Sequence, residues 1–247
     1  MKSILLSLSL LLSFSLSAQE SFNTSKGKVD IHPIVHGTLA IQHNDLNIFV
    51  DPYGGAEGFS AFGAPNLILI TDIHGDHLNK STLEGLDTKE TTFIVPQAVA
   101  NELGDITTGE IIILNNGETT NFKDIQIKAL PMYNLPESEE SRHTKGRGNG
   151  YILTIGDKTF YMSGDTEGIP EMRQLTGIDV AFVCMNLPYT MDVDQAASAV
   201  LDFKPGIVYP YHYRGKGGLS DVEKFKSLVN AGSEEIEVRL KNWYSQQ

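Results

Sequence analysis

The stretch Asn66-Leu67-Ile68-Leu69-Ile70-Thr71-Asp72-Ile73-His74-Gly75-Asp76-His77 decides how the rest of the chain is read. Its first half is a run of consecutive apolar residues, which suits a strand covered on both faces. Its second half changes chemistry at once: four of the six residues from 72 to 77, namely Asp72, His74, Asp76 and His77, carry metal-binding side chains. Imidazole and carboxylate together suit zinc first, and also manganese or iron. In an extended loop the side chains at 72, 74 and 76 alternate onto one side, while 77 turns toward a neighbour. A single loop histidine is an ordinary residue. Four ligand types in six positions, in a chain with 7 histidines, form a motif held by a rigid strand.

Toward the amino terminus, residues 31–36, 39–43 and 46–50 read as short strands, the last running into Asp51-Pro52 before a Gly-rich loop at 53–65. His32, His36 and His43 fall on these strands; His36, followed by Gly37, could approach a cleft, but alternation on a half-buried surface explains all three more simply. Residues 19–28 are polar and read as flexible. Toward the carboxyl terminus, strands are expected at 92–95, 111–114, 119–122, 125–130, 150–155, 159–163, 180–185, 206–209 and 236–240. A polar loop fills 131–149, and Gly156-Asp157 marks a hairpin. Helices are expected at 81–85, 96–103, 194–203 and 220–230, the last with Ser220 as N-cap and Glu223 in capping-box position. Two blocks of strands with helices between and after them fit two packed sheets with helices outside, an α/β four-layer αββα sandwich, better than one doubly wound sheet.

The chain has 247 residues, 40% hydrophobic and 20% charged, enough for one large α/β domain or two small ones. Its net charge of −12, with no basic run, argues against nucleic-acid binding. Arg142, Lys145 and Arg147 gather in the 131–149 loop and could hold one anionic group of a small-molecule substrate. Residues 1–18 read as a signal peptide: Lys2, an apolar segment from Ile4 to Leu16, and a small-residue end at Ser17-Ala18. The segment falls short of the roughly 20 residues of a membrane span. The expectation is a periplasmic or secreted protein with one domain over 19–247 and no stable span once the signal is removed. The single cysteine, Cys184, lies in an apolar run and reads as a buried small hydrophobe.

Two further features are ambiguous alone. Ser163-Gly164-Asp165 is an ordinary turn sequence after a strand, and His212 in Tyr209-Pro210-Tyr211-His212-Tyr213 divides evenly between structural and ligand roles. Together, Asp51-Pro52, the 72–77 cluster, Ser163-Gly164-Asp165 and Tyr211-His212 resemble, in order and wide spacing, the metallo-β-lactamase fold superfamily. The chain is most similar to the group of metal-dependent hydrolases that includes ascorbate phosphate lactonase and N-acylphosphatidylethanolamine phospholipase. The resemblance implies an αββα sandwich with one or two divalent ions in a cleft at a sheet edge. It implies that Asp76, His77 and His212 hold one ion, that His74 helps hold a second, and that Asp165 bridges both.

Two positions depart from the family pattern. Asp72 stands where the motif usually begins with His. The third histidine expected before the middle loop is missing, and Asn134, a poor ligand for such metals, lies in that stretch. His143 is the candidate substitute, as ligand or substrate contact. The expected function is a metal-dependent hydrolase acting with activated water on a small ester, lactone or phosphodiester. Asp76 or Asp165 would hold the water, and Asn134, His143 or Tyr211 would help meet the oxyanion. Two other readings stay open: a non-catalytic metal- or ligand-binding module that keeps the fold, and β-lactam hydrolysis, against which the Ser163-Gly164-Asp165 turn speaks.

Overall fold

The computed structural model describes residues 19–244; the expected signal segment at 1–18 lies outside them. The first sheet runs in sequence order: β1 (Glu20–Thr24), β2 (Gly27–Pro33), β3 (Leu39–His43), β4 (Leu46–Val50), β5 (Leu67–Leu69), β6 (Thr92–Val95) and β7 (Glu110–Ile113). β1 to β4 are antiparallel and β4 to β7 parallel. The helices α1 (Lys80–Gly85) and α2 (Gln97–Glu102) connect the parallel strands. Side chains alternate as period two requires. Phe49, Ile68, Ile70, Phe93 and Val95 pack with Leu83 of α1 and Val99 of α2, while Ile48, Val50, Leu67, Leu69 and Ile94 face the central core.

The second sheet contains β8 (Thr119–Phe122), β9 (Ile125–Met132), β10 (Gly148–Ile155), β11 (Lys158–Met162), β12 (Val180–Cys184), β13 (Ile207–Tyr211) and β16 (Glu237–Val238). β11, β12, β13 and β16 run parallel, with α3 (Pro170–Arg173), α4 (Val193–Phe203) and α5 (Val222–Gly232) in their connections. A small hairpin, β14 (Arg214–Gly215) with β15 (Gly218–Leu219), follows β13. Phe203 of α4 meets Tyr161 of β11 edge-on at 6.0 Å, and both belong to the core that joins this sheet to the first. The expected four-layer sandwich is the architecture observed.

Three local expectations change. Residues 19–28 are not loose. They build β1 and the start of β2, because Phe22 packs edge-on against Phe160 and Glu20 pairs with Arg239 and Lys241, none of them visible from local composition. The 131–149 loop is shorter than expected, since β9 extends to Met132 and β10 starts at Gly148. The N-cap of α5 is Asp221, whose carboxylate accepts the Lys224 backbone N–H at 2.9 Å; the Ser220 hydroxyl instead donates to the Met185 carbonyl.

Candidate metal centre

Parallel pairing lines up strand ends, and the ends of β5, β11 and β13 deliver the 72–77 loop, Asp165 and His212 to one place, a favoured location for sites in such sheets. His77 Nε2 lies 3.3 Å from His212 Nε2 and 3.4 Å from Asp165 Oδ2. His212 Nε2 is 3.2 Å from Asp165 Oδ1 and 3.4 Å from Asp76 Oδ2. Beside this group, Asp72 Oδ2 lies 2.5 Å from His74 Nδ1 and 4.0 Å from His143 Nε2, and His143 Nε2 is 3.3 Å from Asp165 Oδ2. Asp165 thus faces both groups. Three sets of atoms close enough to share an ion result: His36, Asp76 and His212; His77, Asp165 and His212; and Asp72, His74 and His143.

Whether these residues fit a metal is answered by their unused lone pairs. His74 Nδ1, His143 Nε2 and Asp165 Oδ1 are buried and lack hydrogen-bond geometry to any partner, although each lies within 3.3 Å of another ligand-type atom. Buried polar atoms are normally paired, and leaving one unpaired costs about 1–3 kcal/mol. Several such atoms converging on one small space match the demands of cations. The charges agree. Burial pushes Asp165 up, yet His212, His77 and His143 hold its carboxyl well below the usual carboxylate range. Burial pushes His77 down, yet the Asp165 and Asp51 carboxylates hold it well above the usual imidazole value. For Asp76, burial is overridden by hydrogen bonds from His212 and His36, which keep it far below the usual range. Bound cations would supply the same compensation without protons.

Each ligand-type side chain is aimed by something behind it. Asp51, at the end of β4, accepts from the Thr71 backbone N–H at 2.7 Å and from its hydroxyl at 2.6 Å. Asp51 Oδ2 also lies 2.8 Å from His77 Nδ1, which places the imidazole proton there and leaves Nε2 facing Asp165. Arg147 grips both oxygens of Asp72, Nε to Oδ1 at 3.0 Å and Nη2 to Oδ2 at 2.9 Å. Burial would raise Asp72, but His74, His77 and Arg147 bring it down to about 2. Asn134 Oδ1 accepts from the His143 backbone N–H at 2.8 Å and faces His143 Nδ1 at 3.2 Å, and its amide donates to the Tyr189 carbonyl at 2.8 Å. Asn134 thus orients His143, whose Nε2 faces Asp165 and Asp72. Tyr211 is held by a structural contact. Its hydroxyl is buried and accepts the Gly164 N–H at 2.9 Å, pinning the turn that carries Asp165.

His36 is the residue that alternation misread. It follows β2 in a left-handed conformation with φ 58° and lies 3.4 Å from Asp76 Oδ2, with its ring 4.0 Å from that of His212. Its carbonyl accepts the His212 N–H at 3.0 Å. The Tyr244 hydroxyl accepts the Arg214 N–H at 3.0 Å and lies 2.8 Å from His36 Nδ1. His36 Nε2 faces Asp76. Asp51 and His212 share the left-handed conformation, with φ 46° each; three such non-glycine residues at one place are strain typical of functional sites. The pair His36-Gly37 was the available signal, since a Cβ at Gly37 would stand 3.2 Å from the His212 ring.

The basic trio of the middle loop is dispersed. Arg147 is engaged by Asp72, Lys145 pairs with Glu171 at 3.1 Å and Glu137 at 3.5 Å, and Arg142 stacks over the Tyr189 ring at 4.5 Å. They form no common anion clamp. Cys184 is buried, its thiol pushed up to about 11 by desolvation and the nearby Asp165 charge, which leaves it inert at neutral pH. Among the described residues, no helix is long and apolar enough to cross a membrane.

Comparison with known proteins agrees with this geometry. Residues 30–212 match the family model of the beta-lactamase superfamily domain. A UPF0173 metal-dependent hydrolase from Pyrococcus furiosus is 32% identical over 194 residues, covering 74% of this chain and 84% of its own length. A second, from Staphylococcus saprophyticus, is 29% identical over 220 residues, covering 81% and 94%. Among solved structures, a protein from Parabacteroides distasonis described as a metal-dependent hydrolase superposes with a TM-score of 0.80 at 36% identity, over 91% of this chain and 98% of the other. Igni18, a metallo hydrolase from Ignicoccus hospitalis, shares the fold with a TM-score of 0.73 at 23% identity, over 87% and 95%. With the family model spanning the strands that carry every ligand-type residue above, the chain belongs to the metallo-β-lactamase superfamily and is one of its metal-dependent hydrolases.

Proposed function

We propose that the protein hydrolyses a small ester, lactone or phosphodiester at a two-ion centre. Asp76, His77, Asp165 and His212 hold one ion. Asp72, His74 and His143 hold the other, with Asp165 shared between them. The observation that carries the reading is the convergence of buried, unpaired lone pairs on His74, His143 and Asp165. A divalent ion bound there supplies Lewis acidity and lowers the pKa of water to about 7. The imidazole-rich set favours zinc, with manganese or iron the alternatives for a set this rich in carboxylate. Asp76 and Asp165 differ in access: the Asp76 side chain is 31% exposed and Asp165 only 4%. Asp76 is therefore the carboxylate that meets and orients incoming water, while Asp165 stays with the ions. Water adds to the acyl or phosphoryl centre, and the leaving alkoxide departs with the proton that the water gave up. The amino-terminal segment supports export as the route to this protein's working compartment.

The test combines metal analysis with turnover. Native mass spectrometry and elemental analysis of purified protein should find bound transition metal. A panel of nitrophenyl esters, lactones and bis-nitrophenyl phosphate should reveal turnover that Asp76→Ala lowers at least about 10³-fold while its circular dichroism stays unchanged. Metal without turnover of any member, or turnover that survives His77→Ala, sinks the hydrolase reading. Hydrolysis of a chromogenic cephalosporin in preference to the panel would move the substrate class to β-lactams.

A further inference from the structure

We infer that Asn186 is a catalytic residue, the hydrogen-bond donor that meets the oxyanion as it develops on the substrate; this rests on the two-ion reading above. Asn186 follows the end of β12, between the strands that deliver Asp165 and His212, and is 2% exposed. Its backbone N–H donates to Thr190 Oγ1 at 3.0 Å, and the Thr190 hydroxyl donates back to Asn186 Oδ1 at 2.5 Å. This reciprocal pair uses the amide oxygen and fixes which end of the carboxamide faces the site. The end that faces it is Nδ2, 3.5 Å from His212 Nε2.

The imidazole nitrogen is the point of interest. His212 Nε2 lies against Asp76, Asp165 and His77, so its lone pair belongs to an ion when one is bound. The Asn186 amide then loses the acceptor it has among the described residues and is left as a buried donor, held in position and aimed into the centre. A donor so placed without an acceptor is costly in the resting protein, and useful when negative charge arrives. As water adds to an acyl carbon, the carbonyl π pair moves onto oxygen. The amide N–H meets that charge, and the pair returns as the alkoxide leaves with the proton lost by the water. The basic residues of the middle loop do not serve here. Arg147 is spent on Asp72 and Lys145 on Glu171.

The experiment uses metal-loaded protein with three readouts: metal content, kcat on the best ester of the panel, and the Kd of inorganic phosphate by titration calorimetry. Asn186→Leu, which keeps the volume and removes the donor, should retain its metal. It should lower kcat about 10²- to 10³-fold with little change in KM, and weaken phosphate about 10-fold or more. Thr190→Val frees the amide to rotate and should give a smaller loss of the same kind, restored by Thr190→Ser. Should Asn186→Leu fail to fold, the two Thr190 variants decide. Unchanged kcat and phosphate binding in a metal-replete variant overturn the assignment and leave the two-ion reading standing, as does loss of metal from Asn186→Leu, which would make the residue structural. Wild-type protein that binds no metal removes the reading beneath it.

Discussion

Asp51 never reaches the solvent, yet its carboxylate settles how His77 enters the centre. Asparagine at this position keeps the shape and the acceptor for the Thr71 backbone N–H. It replaces the oxygen facing His77 with an amide that donates, so His77 loses the partner that holds its Nδ1 proton. Asp51→Asn should fold normally and bind metal roughly 10- to 100-fold more weakly in competition with a chromophoric chelator. Undiminished affinity would show that packing alone orients His77. Asp72 and Asn134, which break the family pattern, find their reasons at this scale. Asp72 is a carboxylate because Arg147 stands beside it to balance the charge, and Asn134 is an amide because its task is to orient His143. The motif 72–77 was legible as a ligand cluster because neighbours in sequence stay neighbours in a loop. Arg147 and Asn134 were not, because their partners lie across loop closures that no local pattern records.

At the scale of elements, the turn after β11 leaves no room for a side chain at Gly164. Gly164 has φ 61°, and a Cβ there would stand 2.7 Å from Met132 Sδ and 3.0 Å from the Asn149 carbonyl, both already packed. Only glycine escapes both the left-handed penalty and the clash. Gly164→Ala should cost about 1–3 kcal/mol in denaturant unfolding and shift Asp165 away from the ions, lowering metal affinity together with stability. A variant with wild-type stability and full metal content would contradict this account. The central strands β5 and β12 were legible because parallel, doubly covered strands read as unbroken apolar runs, as in 67–69 and 180–184. β1 was not, since Glu20–Thr24 is polar and gains its conformation from Phe160 and Arg239.

Across the whole molecule, the two sheets are tied at their margins as well as through the core. Glu20 on β1 of the first sheet bonds Arg239 at 2.8 Å and also contacts Lys241, both beyond β16 of the second. Burial would raise Glu20, but Lys241, Tyr209 and Arg239 bring it below its usual value. A carboxyl depressed in the folded state stabilises above its unfolded pKa and loses that contribution as pH falls through the folded value. Glu20→Gln should therefore be less stable than wild type by about 0.5–1 kcal/mol at pH 7. The gap should close as both are acidified below the normal glutamate range, followed by paired urea titrations. A gap that persists or widens at low pH would assign the effect to packing.

The chain by itself determined the layer architecture, the metal-binding character of 72–77 and the class of chemistry, because hydrophobic period and short-range clusters of ligand types are written locally. Folding alone decided that His143 comes to face Asp165, that His36 leaves its strand for the site, and that the Tyr211 hydroxyl is engaged by the Asp165 turn. The reason is physical: a side chain's role depends on which lone pair or proton remains after its other contacts are made, and those contacts come from elements far away in sequence.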